Sequence, residues 1–287
     1  MSSETMAPAH AAPVANAGWI FAERAVRIGF DLTLGIWVAR HLGPHDYGVL
    51  AYALALVALF APLASLGLEV VLLRELVNNP GERSSILGTA AALKFAGSCA
   101  AGIAAIIAVA IIDPADARVL PMVMLIASAR IFLSADVIDA DYQAQGRMRR
   151  PALARLACTI LISVAKAVVL LASGNLLAFA WIAAGESVLL GLCLMTSRST
   201  DITGGKVQFA WPWMRRLLRD SWPLALSAVM ITLYMRIDQV MLEYWVNARE
   251  VGRYAVAVRL SEGLFVIPMT LSVVISPVVL ATRTKQG

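Results

Sequence analysis

Long apolar runs alternate with short polar segments along most of this chain. The runs are roughly 20 residues or more, the length that a helix rising about 1.5 Å per residue needs to cross a hydrocarbon core of about 30 Å. The pattern predicts eight transmembrane helices. They cover residues 17–38, 47–73, 85–112, 119–142, 152–172, 176–196, 220–246 and 252–281. We therefore predict an all-α polytopic membrane protein.

Proline and glycine interrupt several predicted spans. These interruptions are Pro62 and Gly67, Pro223, Pro268 and Pro277. Proline lacks a backbone N–H donor, so such positions bend helices and free carbonyl groups. This suits a transporter whose helices move, but it also occurs in static helical bundles.

The longest polar segment, residues 197–219, follows six spans and predicts a cytoplasmic linker between two lobes. The first lobe is the six-helix unit 17–196, and an incomplete second lobe, 220–281, begins with two helices. Trp211 and Trp213 stand beside three arginines, which predicts an amphipathic interfacial approach to the seventh span. Residues 1–16 are expected to be a disordered tail without the basic region of a signal peptide, and residues 282–287 a C-terminal tail.

Composition supports a lipid environment, since 60% of the residues are apolar and 15% are charged, against about 45–50% and about 25% in soluble domains. With both termini in the cytoplasm, twelve basic residues lie in inside segments and four, namely Arg40, Arg118, Arg249 and Arg253, lie outside. This is the direction of the positive-inside rule. The net charge of +5 is therefore explained by topology and anionic lipid heads, without nucleic acid.

The residues typical of metal sites and disulfides do not form a recognisable pattern. Cys99, Cys158 and Cys193 stand in separate apolar segments, and Gly43 and Pro44 separate His41 from His45. We expect neither a metal site nor a cofactor.

Charged residues inside predicted spans are costly, about 2.5–3.5 kcal/mol each at a helix centre on insertion scales, and mark candidate sites. In the first span, Glu23, Arg24, Arg27 and Asp31 share one helical face, either as an ion lattice that aligns helices or as a site for an anion. Arg155 and Lys166 are expected to snorkel toward lipid headgroups, and the pattern assigns them no function.

Later spans add further intramembrane charges. Arg236 and Asp238 lie about 200° apart on the seventh helix and should face different surroundings, whereas Arg259 and Glu262 share a face of the eighth. The carboxylates are candidates for coupling transport to protons or sodium ions, with structural hydrogen bonds as the alternative. These candidates are Asp31, Asp136, Asp139, Glu186, Asp238 and Glu262.

Two sequence blocks indicate a family. The first is VARHLGPHDYG at 38–48, continued by Leu66-Gly67-Leu68 and Arg74-Glu75. The second is RIDQVML at 236–242, followed by EVGRYA at 250–255, RLSE at 259–262 and Ile267-Pro268. In their order and separation they resemble the O-antigen and polysaccharide flippases, and the resemblance covers most of residues 17–281.

The resemblance implies two bundles of six helices around a central cavity, as in the related multidrug and toxin extrusion pumps and peptidoglycan lipid flippases. It also implies a bacterial inner-membrane location and a substrate, an undecaprenyl-pyrophosphate-linked oligosaccharide, moved by alternating access. Arginine matches phosphate oxygens with a planar fork of donors, so Arg24, Arg27, Arg236 and Arg259 are the candidate cavity cations. The expected partners are membrane lipids, a polysaccharide polymerase and glycosyltransferases, or a second copy of this chain.

The family pattern continues for at least four more spans, so we expect a truncated product, a fragment, or assembly with another copy. An ion-coupled drug exporter and a non-transporting scaffold for polysaccharide-synthesis enzymes are the alternative functions. Asp139-Ala140-Asp141 matches the Asp-x-Asp of metal-dependent sugar transferases. Those acids lie about 200° apart on a helix, so we predict that the chain is not an enzyme.

Overall fold

The computed structural model describes residues 11–112, 118–196 and 208–264, with side chains described between residues 26 and 261 of these ranges. Within them the chain forms ten α-helices and two 3-10 segments, Pro80–Glu82 and Arg130–Asp136, and the described residues include no strand. The helices are α1 (Ala11–Leu59), α2 (Ala61–Ser65), α3 (Leu68–Asn78), α4 (Arg83–Ile112), α5 (Val119–Ala129), α6 (Val137–Ala144), α7 (Arg149–Leu171), α8 (Leu176–Thr196), α9 (Trp211–Trp245) and α10 (Ala248–Leu264). The predicted all-α architecture is confirmed.

Helix α1 is a hairpin of two arms, residues 11–42 and 44–59. Gly43 separates the arms with a non-helical conformation, φ 73° and ψ 170°, and Pro44 starts the second arm. A positive φ is open to glycine at little cost, whereas most other residues would be strained there. The guanidinium of Arg259 lies against Gly35 of the first arm and Tyr47 of the second. The two arms therefore run side by side.

The second predicted span, 47–73, is interrupted near Pro62 and Gly67, as the sequence predicted. Pro62 lies in the first turn of the short helix α2, and Leu66 and Gly67 both adopt left-handed conformations, with φ of 51° and 64°. A Cβ at Gly67 would lie 2.8 Å from the carbonyl oxygen of Ser221, so glycine also allows α9 to pack closely here. At Pro223, in contrast, α9 continues without an interruption.

Six helical stretches of the described residues are long and apolar enough to cross a membrane. They are Val26–Asn78, Pro80–Ile112, Val119–Ala144, Arg149–Leu171, Leu176–Thr196 and Trp211–Trp245. The first contains the α1 hairpin and hence two of the predicted passes. The predicted eighth span, 252–281, overlaps α10 over residues 252–264, and its remainder, 265–281, lies outside the described residues. The chain is a multi-pass membrane protein.

Two helices begin more than five residues earlier than the sequence predicted. Helix α9 starts at Trp211, inside the predicted linker 197–219, because Trp213 and Leu217 are buried in an apolar cluster with residues of α3 and α4. The predicted interfacial segment is thus the first part of a membrane helix. Helix α1 starts at Ala11, so the last residues of the predicted disordered tail are helical.

The turns define two ends of the bundle. At one end His41 contacts the carbonyl oxygen of Gly174 at 3.0 Å, and Arg118 lies 3.1 Å from His45. We call this the Gly43 end, and the larger buried apolar cluster lies toward it. At the opposite end the start of α9 packs on α3 and α4, around the smaller cluster.

Candidate functional site: a charged cavity between α1, α7, α8, α9 and α10

A cavity of about 490 Å³ lies between both arms of α1 and helices α7 to α10. Apolar residues form much of its wall, including Leu50, Leu54 and Phe179. Five charged side chains of the described residues also line it, and these are Asp31, Lys166, Glu186, Arg236 and Arg259. A cavity with apolar walls and a few convergent polar groups is the usual form of a ligand site.

Close packing between α1 and α10 brings Arg259 into this cavity. A Cβ at Gly252 would overlap the carbonyl oxygen of Pro44, and one at Gly48 would overlap that of Ala248. A Cβ at Gly35 would collide with the Arg259 guanidinium itself. These three glycines therefore let α10 approach the hairpin, and Arg259 extends between its arms.

The Arg259 guanidinium lies 5.8 Å from the centre of the Tyr47 ring, within the range of a cation–π interaction. No carboxylate among the described side chains forms a salt bridge with Arg259, although Asp31 and Glu186 line the same cavity. A cation held by a ring face keeps N–H donors that can bind an anion. In the sequence Tyr47 is noticeable only as part of the block at 38–48. Its contact with Arg259 depends on the folding of α1 into a hairpin.

Lys166 is the cavity cation that the sequence interpretation missed. Its Nζ atom lies 3.7 Å from Asp31 Oδ1 on α1 and 3.5 Å from Glu186 Oε2 on α8. The expectation that Lys166 snorkels to a headgroup was wrong, because two acids on neighbouring helices hold it within the bundle. A lysine in an apolar run was the only sequence signal, and it could not name partners on other helices.

Arg236 and Asp238 face different surroundings, as their helical spacing predicted. Arg236 lines the cavity beside Gln239. Asp238 accepts hydrogen bonds from the Tyr254 hydroxyl and, at 2.8 Å, from the backbone N–H of Gln239. Asp238 thus contributes to the junction of α9 and α10 and is not one of the cavity-lining residues.

Two other predicted coupling acids form ion pairs away from the cavity. Lys94 Nζ lies 2.7 and 2.8 Å from the two carboxylate oxygens of Asp136, and the lysine side chain is 5% exposed. Asp139 pairs with Arg155, which therefore does not snorkel either. These contacts match the structural alternative to ion coupling.

The remaining predicted site residues lie outside the described cavity lining. The side chains of Arg24 and Glu262 are outside the described part of the chain. Arg27 is exposed on the first arm of α1, one turn before Asp31. Of the ten predicted site residues, the structure brings four together in one cavity, and these are Asp31, Glu186, Arg236 and Arg259.

The Asp139-Ala140-Asp141 motif lies near the opposite end of the bundle from the Gly43 turn. Asp141 is 1% exposed and pairs with Arg83, while Asp139 pairs with Arg155. Each acid therefore already has a cationic partner on another helix. Among the described residues, no cluster of three or more His, Cys, Asp or Glu side chains suits a metal ion.

Polar contacts also fasten the start of α9 to α3. Buried Glu75 accepts hydrogen bonds from Arg74 at 3.1 Å and Asn79 at 2.9 Å, and lies 3.0 Å from Arg216. Arg74 in turn contacts Asp220 at 2.7 Å. We call these five residues the α3–α9 clamp. It lies at the end of the bundle opposite the Gly43 turn.

Comparisons with known proteins agree with this membrane architecture. A family model described as polysaccharide biosynthesis protein matches residues 14–281. Searches of curated proteins and of solved structures found no significant match. Because the family model spans nearly the whole chain, including every helix that lines the cavity, the chain belongs to the polysaccharide biosynthesis protein family of membrane proteins.

Proposed function

We propose that this protein is a flippase that moves an undecaprenyl-pyrophosphate-linked oligosaccharide across the bacterial inner membrane by alternating access. Membership of the polysaccharide biosynthesis family supports a polysaccharide-related membrane transporter. One observation carries the finer proposal. Lys166, Arg236 and Arg259 line a single cavity among membrane helices.

The chemistry of the substrate matches these cations. A pyrophosphate that leaves water must recover its lost hydration through charge-assisted donors, and arginine offers paired N–H groups suited to phosphate oxygens. Each such contact contributes about 1.5–3 kcal/mol. Among the described side chains that line the cavity there are three cations and two acids, and this balance favours an anionic headgroup.

The proposed orientation has both termini in the cytoplasm, so the Gly43 end is periplasmic and the α3–α9 clamp cytoplasmic. The distribution of basic residues supports it, since the clamp contains Arg74 and Arg216, and Arg147 precedes α7 while Arg149 and Arg150 begin it. The sugar would occupy the cavity while the polyprenyl tail stays in lipid. The large exposed apolar side chains of α9, such as Trp222, Met230 and Ile231, provide a surface compatible with such a tail.

Complementation of a strain that lacks its O-unit flippase tests this proposal. The parent chain should restore surface polysaccharide, and Arg236→Gln or Arg259→Gln should reduce it about tenfold or more, the effect of losing about 1.4 kcal/mol or more. Arg253→Gln is the matched control on α10, because Arg253 pairs with Glu250 at 2.8 Å on an exposed surface. Immunoblots of membranes would show equal amounts of each variant.

Full restoration by both cavity variants would refute the cationic site. A drug exporter of the same superfamily is the second candidate, because Asp31 and Glu186 in this cavity could bind a cationic drug. That function predicts drug resistance in the expressing strain, lost in Glu186→Gln, without any restored polysaccharide.

A further inference from the structure

Two intramembrane lysines in this chain are held in opposite ways. Lys94 is tightly paired, with both carboxylate oxygens of Asp136 within 2.8 Å and only 5% of its side chain exposed. Lys166 is shared between two acids at 3.7 and 3.5 Å, beyond the 2.7–2.9 Å typical of strong charge-assisted bonds. Its side chain is 23% exposed and lines the cavity. Lys94 is thus a structural pair, and Lys166 is free to change partners.

We propose that Lys166 leaves Asp31 and Glu186 to bind the diphosphate of the substrate, and that these acids take up a proton from solvent as it leaves. This inference rests on the proposed function and deepens it. A diphosphate and the two carboxylates compete for the same ammonium group. Binding of the anion therefore removes the counter-ion of the two acids and places a negative charge beside them, and a neighbouring like charge favours the protonated form of a carboxylate.

The surrounding charges set the limits of this exchange. Asp31 and Tyr47 face the cavity from α1, Glu186 from α8, Arg236 from α9 and Arg259 from α10. Arg130, on the 3-10 segment packed against α8, lies outside the cavity lining but near enough to Glu186 for electrostatic attraction. Glu186 therefore keeps one cationic neighbour, whereas Lys166 is the cation paired with Asp31 in the described structure. Asp31 is the acid expected to gain the proton.

Linkage makes the coupling reciprocal. If binding of the diphosphate promotes proton uptake, lower pH must tighten binding of the diphosphate by the same factor. Substrate and proton then occupy the cavity together in one state. A fixed structural lysine would produce no such dependence.

Isothermal titration calorimetry of the full chain in phosphatidylcholine nanodiscs tests the proposal. The probe is a polyprenyl diphosphate, titrated in buffers of different ionisation enthalpy so that proton uptake on binding is measured directly. The parent chain should take up protons, while Lys166→Gln should bind about tenfold more weakly or worse and take up fewer. The ionisation of the probe itself does not produce this decrease, because the loss of a cation leaves a bound diphosphate more protonated and not less. Lys166→Arg should restore affinity.

The acid variants give the opposite result. Asp31→Asn should bind the probe at least as tightly as the parent chain, because only Glu186 then competes with the probe for Lys166, and should take up fewer protons. The double variant Lys94→Met with Asp136→Leu, which removes the structural pair outside the cavity, is the matched control and should leave proton uptake unchanged. Equal proton uptake by the parent and Lys166→Gln, or weaker binding by Asp31→Asn, would overturn the inference while leaving the flippase proposal intact.

Two further arms identify the ligand and the ion. Inorganic pyrophosphate should bind far more weakly than the lipid probe, and equal affinity would assign the site to a soluble diphosphate. Affinity that follows sodium concentration at constant pH and ionic strength would replace the proton by sodium and overturn this assignment. Absence of lipid binding at every pH, in all variants, would instead refute the proposed function.

Discussion

Single residues in this bundle show how a charge in lipid acquires its role from neighbouring helices. Lys94 and Lys166 both interrupt apolar runs and have the same insertion cost in the sequence. Lys94 meets one acid at close range, and Lys166 meets two at longer range beside a cavity. The distances between atoms on different helices, which no linear pattern contains, separate a structural pair from a candidate binding group.

The Lys94–Asp136 pair should be important for stability. Asp136→Asn leaves the ammonium of Lys94, 5% exposed, without its carboxylate. Breaking a fully buried pair costs about 3–5 kcal/mol, and about 1–3 kcal/mol is expected here because Asp136 is 35% exposed. Thermal unfolding in detergent, followed by circular dichroism, measures the loss.

The double variant Lys94→Met with Asp136→Leu removes both charges. It should recover most of the stability, because replacing a buried pair with apolar residues is often neutral. A single Asp136→Asn variant as stable as the parent would show that water or another group replaces the carboxylate.

At the scale of elements, glycine decides how closely helices approach. Gly48 and Gly252 stand where α1 and α10 nearly touch, and a Cβ at Gly252 would lie 3.0 Å from the backbone nitrogen of Gly48. The sequence predicted the helices and the interruption at Gly67, but gave no sign that Gly252 faces Pro44. It also placed the start of α9 too late. The arginines and tryptophans of residues 211–219 suggested a segment at the membrane interface, whereas Leu217 is buried in the bundle.

Gly252→Ala should move α10 away from the hairpin and withdraw Arg259 from the cavity. Overpacking of this kind typically costs about 1–3 kcal/mol. Gly185→Ala is the matched control on α8, since a Cβ there would meet no atom within 4 Å and alanine favours helix. The unfolding temperature and the amount of restored surface polysaccharide should both fall for Gly252→Ala and remain near parental values for Gly185→Ala. Equal values for the two variants would contradict the close packing of α1 and α10.

Across the whole molecule, the α3–α9 clamp and the charged cavity occupy different levels of the bundle. The clamp joins α9 to α3 around Arg216 and Asp220, whereas Arg236 of the same helix lines the cavity. At about 1.5 Å per residue, these two levels lie about 30 Å apart along α9. Under the proposed alternating access, the clamp closes the cytoplasmic side and must open when that side admits substrate.

Glu75→Gln should weaken the clamp, because Glu75 accepts hydrogen bonds from Arg74 and Asn79 and forms a salt bridge with Arg216 while it is only 1% exposed. A cysteine at position 221, introduced as Ser221→Cys in a chain whose three natural cysteines are serine, reports the opening, since Ser221 is buried. Maleimide labelling in inside-out vesicles should be faster with Glu75→Gln. Glu69→Gln, an exposed position on α3, should leave it unchanged. Unchanged labelling with Glu75→Gln would show that the clamp does not limit access.

The sequence alone determined the environment and the class of fold. A helix must satisfy its own backbone in lipid and cover it with apolar side chains, so length and hydropathy are sufficient to predict a polytopic α-helical protein. The prediction that Asp31, Glu186, Arg236 and Arg259 are functional is consistent with their shared cavity and awaits experiment. The tertiary structure decided which charges meet. Lys166 meets Asp31 and Glu186 because three helices, separated in sequence, place their polar positions at one depth, and that depends on packing rather than on periodicity.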